Sequence, residues 1–345
     1  MKLAELVAEG AFPGAVACAS VDGRLVVDDV AGHHRFDGGA PAIDAGAEYD
    51  LASVTKVFVS VAALVLVAAG EVGLEDRVCD VLTDLGPDRA PITVRQLLTH
   101  TAGLPSVPQL HELHHDREGL AHALREVPLE SAPGESVAYT SLGYQYLGWL
   151  IEAVAAMPLD AFLAEAVLGP CGLSRIGFLP GPHRYDAIVP TEWSPVRERL
   201  LRGEVHDENS WILGAVTGHT GLFAPAAEVL RFGEALLCED GPLPGVRSAL
   251  FQDLTGGLEP ARSAAFVRDD PQFGAWPATT WSHTGFTGTS LCLVPEQGVA
   301  AVLLSNRVQP TRANERIVDA RRRWHEHVCD VVAHRTSTQE HHDSA

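Results

Sequence analysis

Ser53-Val54-Thr55-Lys56 sets a hydroxyl and an amine three residues apart, at the head of a run in which every residue from Val57 to Ala69 except Ser60 is apolar. Residues three apart on a helix share one face, so the two groups come within hydrogen-bonding reach. A helix apolar all round is buried on all sides, and its first turn is the positive end of the helix dipole. Burial and the dipole both act against an ammonium there and favour the neutral amine. A neutral amine beside a hydroxyl takes its proton and turns it into a usable nucleophile. The free N–H groups of the helix start also point at whatever the hydroxyl attacks. S-x-x-K is common by chance, and a lysine at a helix start also reaches water by snorkelling; the chemistry needs partners from elsewhere in the chain.

Other residues offer rival chemistry. His111 to His115, "HELHH", satisfies H-E-x-x-H, a zinc-peptidase pattern with its glutamate as general base. That role requires both histidines on one face of a well-formed helix and a third ligand. Pro105 and Pro108 precede the motif and "DREG" follows it with no apolar stripe. In the extended form of the motif, Glu118 and Ala121 occupy the glycine and histidine slots. A metal is therefore not expected. A second H-T-G occurs at His219, but the helical "APAAEVLRFGEALL" follows it rather than a strand pair. His206, Asp207 and Asn209 in "VHDEN" are expected to form a hydrogen-bonded structural loop under a cleft.

The elements that must hold such a site are legible along the 345 residues. A short helix over about 3–8 leads into "GAVACASV", Asp22-Gly23 and "RLVVDDVAG", a hairpin by its turn and its two β-rich runs. A glycine-rich linker spans 32–46, and the middle of the chain is mostly helical. Strand character returns in "TWSHTGFTGTSLCLV" and "VAAVLLSN" around the turn "PEQG". A closing helix is predicted over 312–334, with Ile317, Trp324, Val328 and Val331 on one face. Strands at both ends with helices between predict an α+β fold: an antiparallel sheet built from both termini, flanked by helices, with a mainly helical lobe inserted. One catalytic domain over 1–335 then comprises an α/β lobe (about 1–52 and 241–335) and a helical lobe (about 53–240), with a disordered tail at 336–345.

Forty-five acidic against 25 basic residues give a formal charge of −20, a field that repels phosphate backbones and excludes nucleic acid as a partner. Arg321 to Arg323 read as a solvated helix face. A membrane span needs about 20 apolar residues, and the run from Val57 stops at Gly70, so no membrane partner is expected. The N-terminal "MKLAELVAEGAFPG" lacks a long apolar core and carries Glu5 and Glu9, which places the protein in the cytoplasm as an expectation. Six cysteines, none in a C-x-x-C pair, read as reduced thiols.

"DLASVTKVF" resembles the nucleophile segment of the serine penicillin-recognising enzymes, the group of class C β-lactamases, D,D-peptidases and their esterase relatives. The resemblance continues in chain order. "ITVRQLLTHTAGLP" is similar to the helix and loop that follow, and "PGESVAYTSLGYQYLG" resembles the second motif, with Tyr139 as its tyrosine. "GEVHDENSWILGAVTGHTGLF" is similar to a segment of esterase- and amidase-like members, and "SHTGFTG" resembles the third motif. The match covers about Phe12 to Asn306. It implies that Ser53 is the acylated nucleophile and that Lys56 and Tyr139 share proton handling. It also implies that the backbone N–H groups of Ser53 and Phe286 form an oxyanion hole, and that His283 stands where relatives carry a Lys or His that tunes the field and meets a substrate carboxylate. Ser141, Thr284 and Gly285 fall at substrate-binding positions.

Ser141 departs from the family, whose second motif normally carries Asn there; a serine is too short to make both contacts of the amide. The departure favours an esterase, amidase or transacylase on a small-molecule or peptide-like acyl substrate, with an acyl acceptor, over a β-lactamase or D,D-peptidase. No cofactor is implied. A non-catalytic binding protein on the same scaffold is the rival of another class, and the joint presence of Ser53, Lys56 and Tyr139 speaks against it.

Overall fold

In the computed structural model, β1 (Gly14–Val21) sends alternate side chains into two different cores. The structure describes all residues except Met1, Val107, Pro108, Ser344 and Ala345, with side chains as far as Arg335. β1 pairs with β2 (Arg24–Gly32) through a turn in which Asp22 and Gly23 both have positive φ, at 48° and 72°. Two positive φ values match the twist of a tight hairpin. The remaining strands of the sheet are β3 (Val267–Arg268), β4 (Trp281–Thr284), β5 (Ser290–Val294) and β6 (Val299–Ser305), ordered β2-β1-β6-β5-β4-β3 with every pairing antiparallel. β6 lies beside β1, so both ends of the chain build the centre of the sheet as expected.

Both faces of this sheet are covered, and β6 accordingly reads as a continuous apolar run. On one face Ala15, Ala17, Ala19, Val299, Ala301 and Leu303 pack with Leu3, Leu6 and Phe12 and with Ile317, Trp324 and Val328 of the closing helix (Ile317–Asp343). That helix begins five residues later than predicted, and Val332 rather than Val331 completes its buried stripe. Its backbone continues to Asp343, through most of the segment expected as a tail, whose side chains lie outside the described residues.

On the other face Val16, Cys18, Ala300, Val302 and Leu304 meet the larger core. The helix Ala226–Leu237, placed by sequence in the helical lobe, packs directly on the sheet; a Cβ on its Gly233 would touch Leu293 and Ala300. The boundary between the lobes therefore precedes Ala226 rather than 240. Phe232 of this helix stacks on Phe58 at 4.0 Å, which seats the helix Thr55–Ala68 behind it. From Thr55 to Leu64 every residue of that helix is buried, as its composition requires. No single helix among the described residues is long and apolar enough to cross a membrane.

Candidate active site

The chain enters the Ser53 turn from a short strand, Glu48–Asp50, paired with Phe223–Pro225. Ser53 lies in a single 3₁₀ turn, Ala52–Val54, that runs into the helix Thr55–Ala68. Ala52 has φ 46°, a conformation that a residue with a Cβ adopts at a strain of about 1–3 kcal/mol. Asp50 holds it there. Its buried carboxylate accepts from the N–H of Ala52 at 2.8 Å and of His206 at 2.7 Å.

Lys56 is fully buried, and its Nζ donates to Ser53 Oγ at 3.0 Å and to the carbonyl of His219 at 3.1 Å. Both acceptors are neutral. His219 is itself held by Asp207, whose Oδ1 lies 3.3 Å from His219 Nε2, and by Ser210 Oγ at 3.1 Å. Ser210 Oγ also meets Thr217 and Thr220 at 2.7 and 2.6 Å. The "VHDEN" segment is hydrogen-bonded as expected, but it lines the cavity through His206, Asp207 and Asn209 rather than lying beneath it. The second H-T-G, discounted in the sequence, supplies the carbonyl that fixes the lysine.

Tyr139 reaches Lys56 from the far wall, with Lys56 Nζ 5.1 Å from its ring centroid. It precedes Thr140, the cap of the helix Ser141–Ala155. His100 carries it: its ring lies 4.5 Å from that of Tyr139, its Nδ1 accepts from the Thr140 N–H at 3.0 Å, and its carbonyl accepts from Ala138. Burial, and then the cations of Arg262 and Lys56, push the His100 imidazole well below its usual range, so it is a neutral acceptor. Nothing in the residue type of His100 marks it for this task.

His283 is brought to the same cluster, 6.1 Å from Tyr139 ring to ring, but stands behind it. It is buried and absent from the lining of the cavity, and its Nδ1 pairs with its neighbour's carbonyl, Thr284 O, at 2.9 Å. Burial first, then the nearby charges of Lys56 and Arg262, lower its pKa to about 3. In this structure the imidazole packs beside the Tyr139 ring rather than lining the cavity.

Thr284, Gly285 and Phe286 line the cavity. Gly285 to Gly288 form a tight turn, closed by Gly288 N–H to Gly285 O at 3.0 Å and by Gly285 N–H to Thr289 O at 2.8 Å. Phe286 occupies the second position of this turn, whose N–H takes no part in turn hydrogen bonding. Neither this N–H nor that of Ser53 meets a protein acceptor among the described residues. Two threonines lock the turn to the segment before Ser53: Thr287 Oγ1 donates to Asp50 O at 2.7 Å and Thr289 Oγ1 to Leu51 O at 2.8 Å. A Cβ at Gly285 would lie 2.0 Å from Thr289 Oγ1 and 2.5 Å from Leu51 O. Gly285→Ala should therefore shift the turn and lower kcat/KM for an activated ester by about 100-fold; an alanine variant with wild-type kcat/KM would show that the turn is not needed where it stands.

These groups open on one cavity of about 740 Å³, lined among others by Ser53, Tyr139, Ser141, Thr284, Gly285 and Phe286, within the range of roughly 300–1,000 Å³ of small-molecule sites. His111 and Glu112 line it too, but "HELHH" forms only a one-turn 3₁₀ segment, Leu110–Glu112, so His111 and His115 do not share a helix face. No group of three His, Cys, Asp or Glu side chains able to hold a metal occurs among the described residues.

A second network braces the mouth. Glu192 accepts from Arg312 Nε at 2.6 Å and lies 2.8 Å from His206 Nε2. Burial works to raise the Glu192 pKa, yet hydrogen bonds from His206 and Arg312 outweigh it and hold the carboxyl at about 2, against an ordinary 4.5. The folded carboxyl is harder to protonate than the unfolded one, a difference worth about 3 kcal/mol. That stabilisation is fully present above the ordinary value and is lost as pH falls from there toward the folded pKa. Glu192→Gln should flatten the acid limb of the Tm–pH curve over this window. A limb as steep as that of the wild type would place the acid sensitivity elsewhere.

A hydroxyl paired with a buried lysine, a tyrosine beside them and two free backbone donors, at a cavity between a helical lobe and an antiparallel sheet, define a serine hydrolase or acyltransferase. The chain belongs to the beta-lactamase family, whose model matches residues 2–323. A Salmonella agona (strain SL483) protein named as a D-alanyl-D-alanine carboxypeptidase is 29% identical over 311 residues, 78% of this chain and 71% of that one. Among solved structures, "EstCE1, a hydrolase with promiscuous acyltransferase activity" aligns at TM-score 0.73 and 24% identity, over 92% of this chain and 95% of that one. The octameric penicillin-binding protein homologue from Pyrococcus abyssi aligns at TM-score 0.72 and 20% identity, over 88% and 72%. Simvastatin synthase (LovD) from Aspergillus terreus aligns at TM-score 0.68 and 20% identity, over 88% and 90%.

Proposed function

We propose that the protein is an esterase, amidase or transacylase that moves an acyl group from a small-molecule or peptide-like ester or amide onto Ser53, and from there to water or to a hydroxyl or amine acceptor. The observation that carries this reading is the 3.0 Å contact between Lys56 Nζ and Ser53 Oγ, with the lysine's other hydrogen bond spent on a backbone carbonyl. Lys56 and Tyr139 act as a pair: together they take the Ser53 proton as Oγ attacks the acyl carbonyl, and return a proton to the departing alcohol or amine. The N–H groups of Ser53 and Phe286 receive the oxyanion; one such donor is worth about 2.7–4 kcal/mol in the transition state. Water or an acceptor then enters by the route the first leaving group vacated and reverses the steps.

Ser141 lines the cavity at the first turn of its helix, its N–H held by Ser106 O at 3.1 Å. Its short side chain leaves room beside Tyr139 where the family's second motif normally presents an amide. This supports ester, amide or acyl-transfer chemistry over the D-alanyl-D-alanine carboxypeptidase activity in the Salmonella relative's name, as do the hydrolase and promiscuous acyltransferase activities of EstCE1. Intact-mass spectra after exposure to a fluorophosphonate test the proposal: one adduct is expected, on Ser53, insensitive to a chelator. Turnover that a chelator abolishes would point instead to "HELHH".

A further inference from the structure

We infer that Arg307 is a positioning residue for the oxyanion hole, setting the turn that presents the Phe286 N–H; this rests on the acyl-Ser53 reading above. Within the turn Gly285–Gly288, the carbonyl of Gly285 is used by the turn itself and that of Gly288 accepts from Ser305 Oγ at 2.9 Å. The two remaining carbonyls both belong to Arg307. Its Nε donates to Phe286 O at 2.7 Å, and its own backbone N–H donates to Thr287 O at 2.9 Å. The guanidinium also stacks on the Phe286 ring at 4.4 Å, and the side chain fills the space where a Cβ on Gly288 would fall, 2.9 Å from Arg307 Cγ.

The grip on Phe286 O matters because that oxygen belongs to the central peptide of the turn. The two common turn types differ by a flip of this peptide. A flip would swing a carbonyl dipole about the hinge beside the N–H that receives the oxyanion, so a donor fixed on Phe286 O keeps one of the two states. Arg307 is itself anchored on the opposite side, where Nη1 donates to Arg312 O at 2.8 Å and Asn314 O at 2.9 Å. The partners of its side chain are thus carbonyls and a ring, and it belongs to neither apolar core. Arg307 is only 8% exposed and lines the cavity beside Phe286, but its donors are spent on loop carbonyls, which places it to hold geometry. A buried charge is poor material for stability alone.

Arg307→Met, close to arginine in length but without donors, should lower kcat for p-nitrophenyl butyrate about 10- to 100-fold while KM moves less than about threefold, because the oxyanion interaction is made in the transition state. Affinity for phenylboronic acid, which forms a tetrahedral anionic adduct on the serine, should fall in parallel with kcat. Arg307→Lys, which keeps the charge and one donor, should recover part of both. A folded Arg307→Met with wild-type kcat, or with a loss confined to KM, overturns the inference. So does failure of both variants to fold, since that would make Arg307 a residue of global structure. Fluorophosphonate labelling that persists in Ser53→Ala would instead strike the acyl-serine reading, which separates the two failures.

Discussion

Ser53→Ala should abolish fluorophosphonate labelling and reduce ester turnover by about 10⁴–10⁶-fold, the scale on which loss of a nucleophile acting within a unit is felt. The variant should fold as the wild type does. Ser53 is half-buried at the rim of the cavity, and its hydroxyl is held by the hydrogen bond from Lys56. The nucleophile helix is fixed by its apolar residues, and Ala52 remains anchored by Asp50. Alanine therefore removes one oxygen and leaves the scaffold that aims it. Persistence of the label in this variant would mean that another hydroxyl is acylated and that the whole assignment of the cavity is wrong.

The second large effect is expected at Lys56. Lys56→Met fills a similar volume but removes the donor from Ser53 Oγ and from His219 O. General acid–base assistance contributes about 10²–10⁴-fold, so kcat should fall into that range with KM little changed. Tyr139→Phe should show a loss of the same kind. If the two groups handle one proton jointly, the double variant should lose far less than the product of the single losses. Independent, multiplying losses would assign them to different steps. Retention of more than about a tenth of wild-type kcat in Lys56→Met would remove the lysine from proton transfer altogether.

The unequal legibility of the site has a physical basis. Ser53 and Lys56 are one helical turn apart, so their contact follows from local geometry once the flanking run is read as a helix. The Asp22-Gly23 hairpin is equally local, whereas the pairing of β1 with β6 joins distant parts of the chain, and which core each β1 side chain enters is settled only by the two covered faces of the sheet. The closing helix departs from its expected start and by one residue in its stripe, because periodicity over a few turns does not distinguish Val331 from Val332 when both are apolar. The tyrosine and the third motif are recognisable through the order of their motifs along the chain, while the charge state of His283 is not legible there. That state depends on enclosure and on Arg262 and Lys56, neither of them a sequence neighbour.

What the sequence determined by itself is the pairing of hydroxyl and amine and the buried helix that carries them, since both depend on residue types at fixed short spacing. Tertiary structure alone decided what holds them. The carbonyl of His219 on the lysine, His100 beneath Tyr139, and Thr287, Thr289 and Arg307 around the oxyanion turn act largely through backbone atoms. Every residue carries a carbonyl and all but proline an N–H, so such contacts leave no signature in residue identity. They become specific only when folding brings distant segments within about 3 Å of one another.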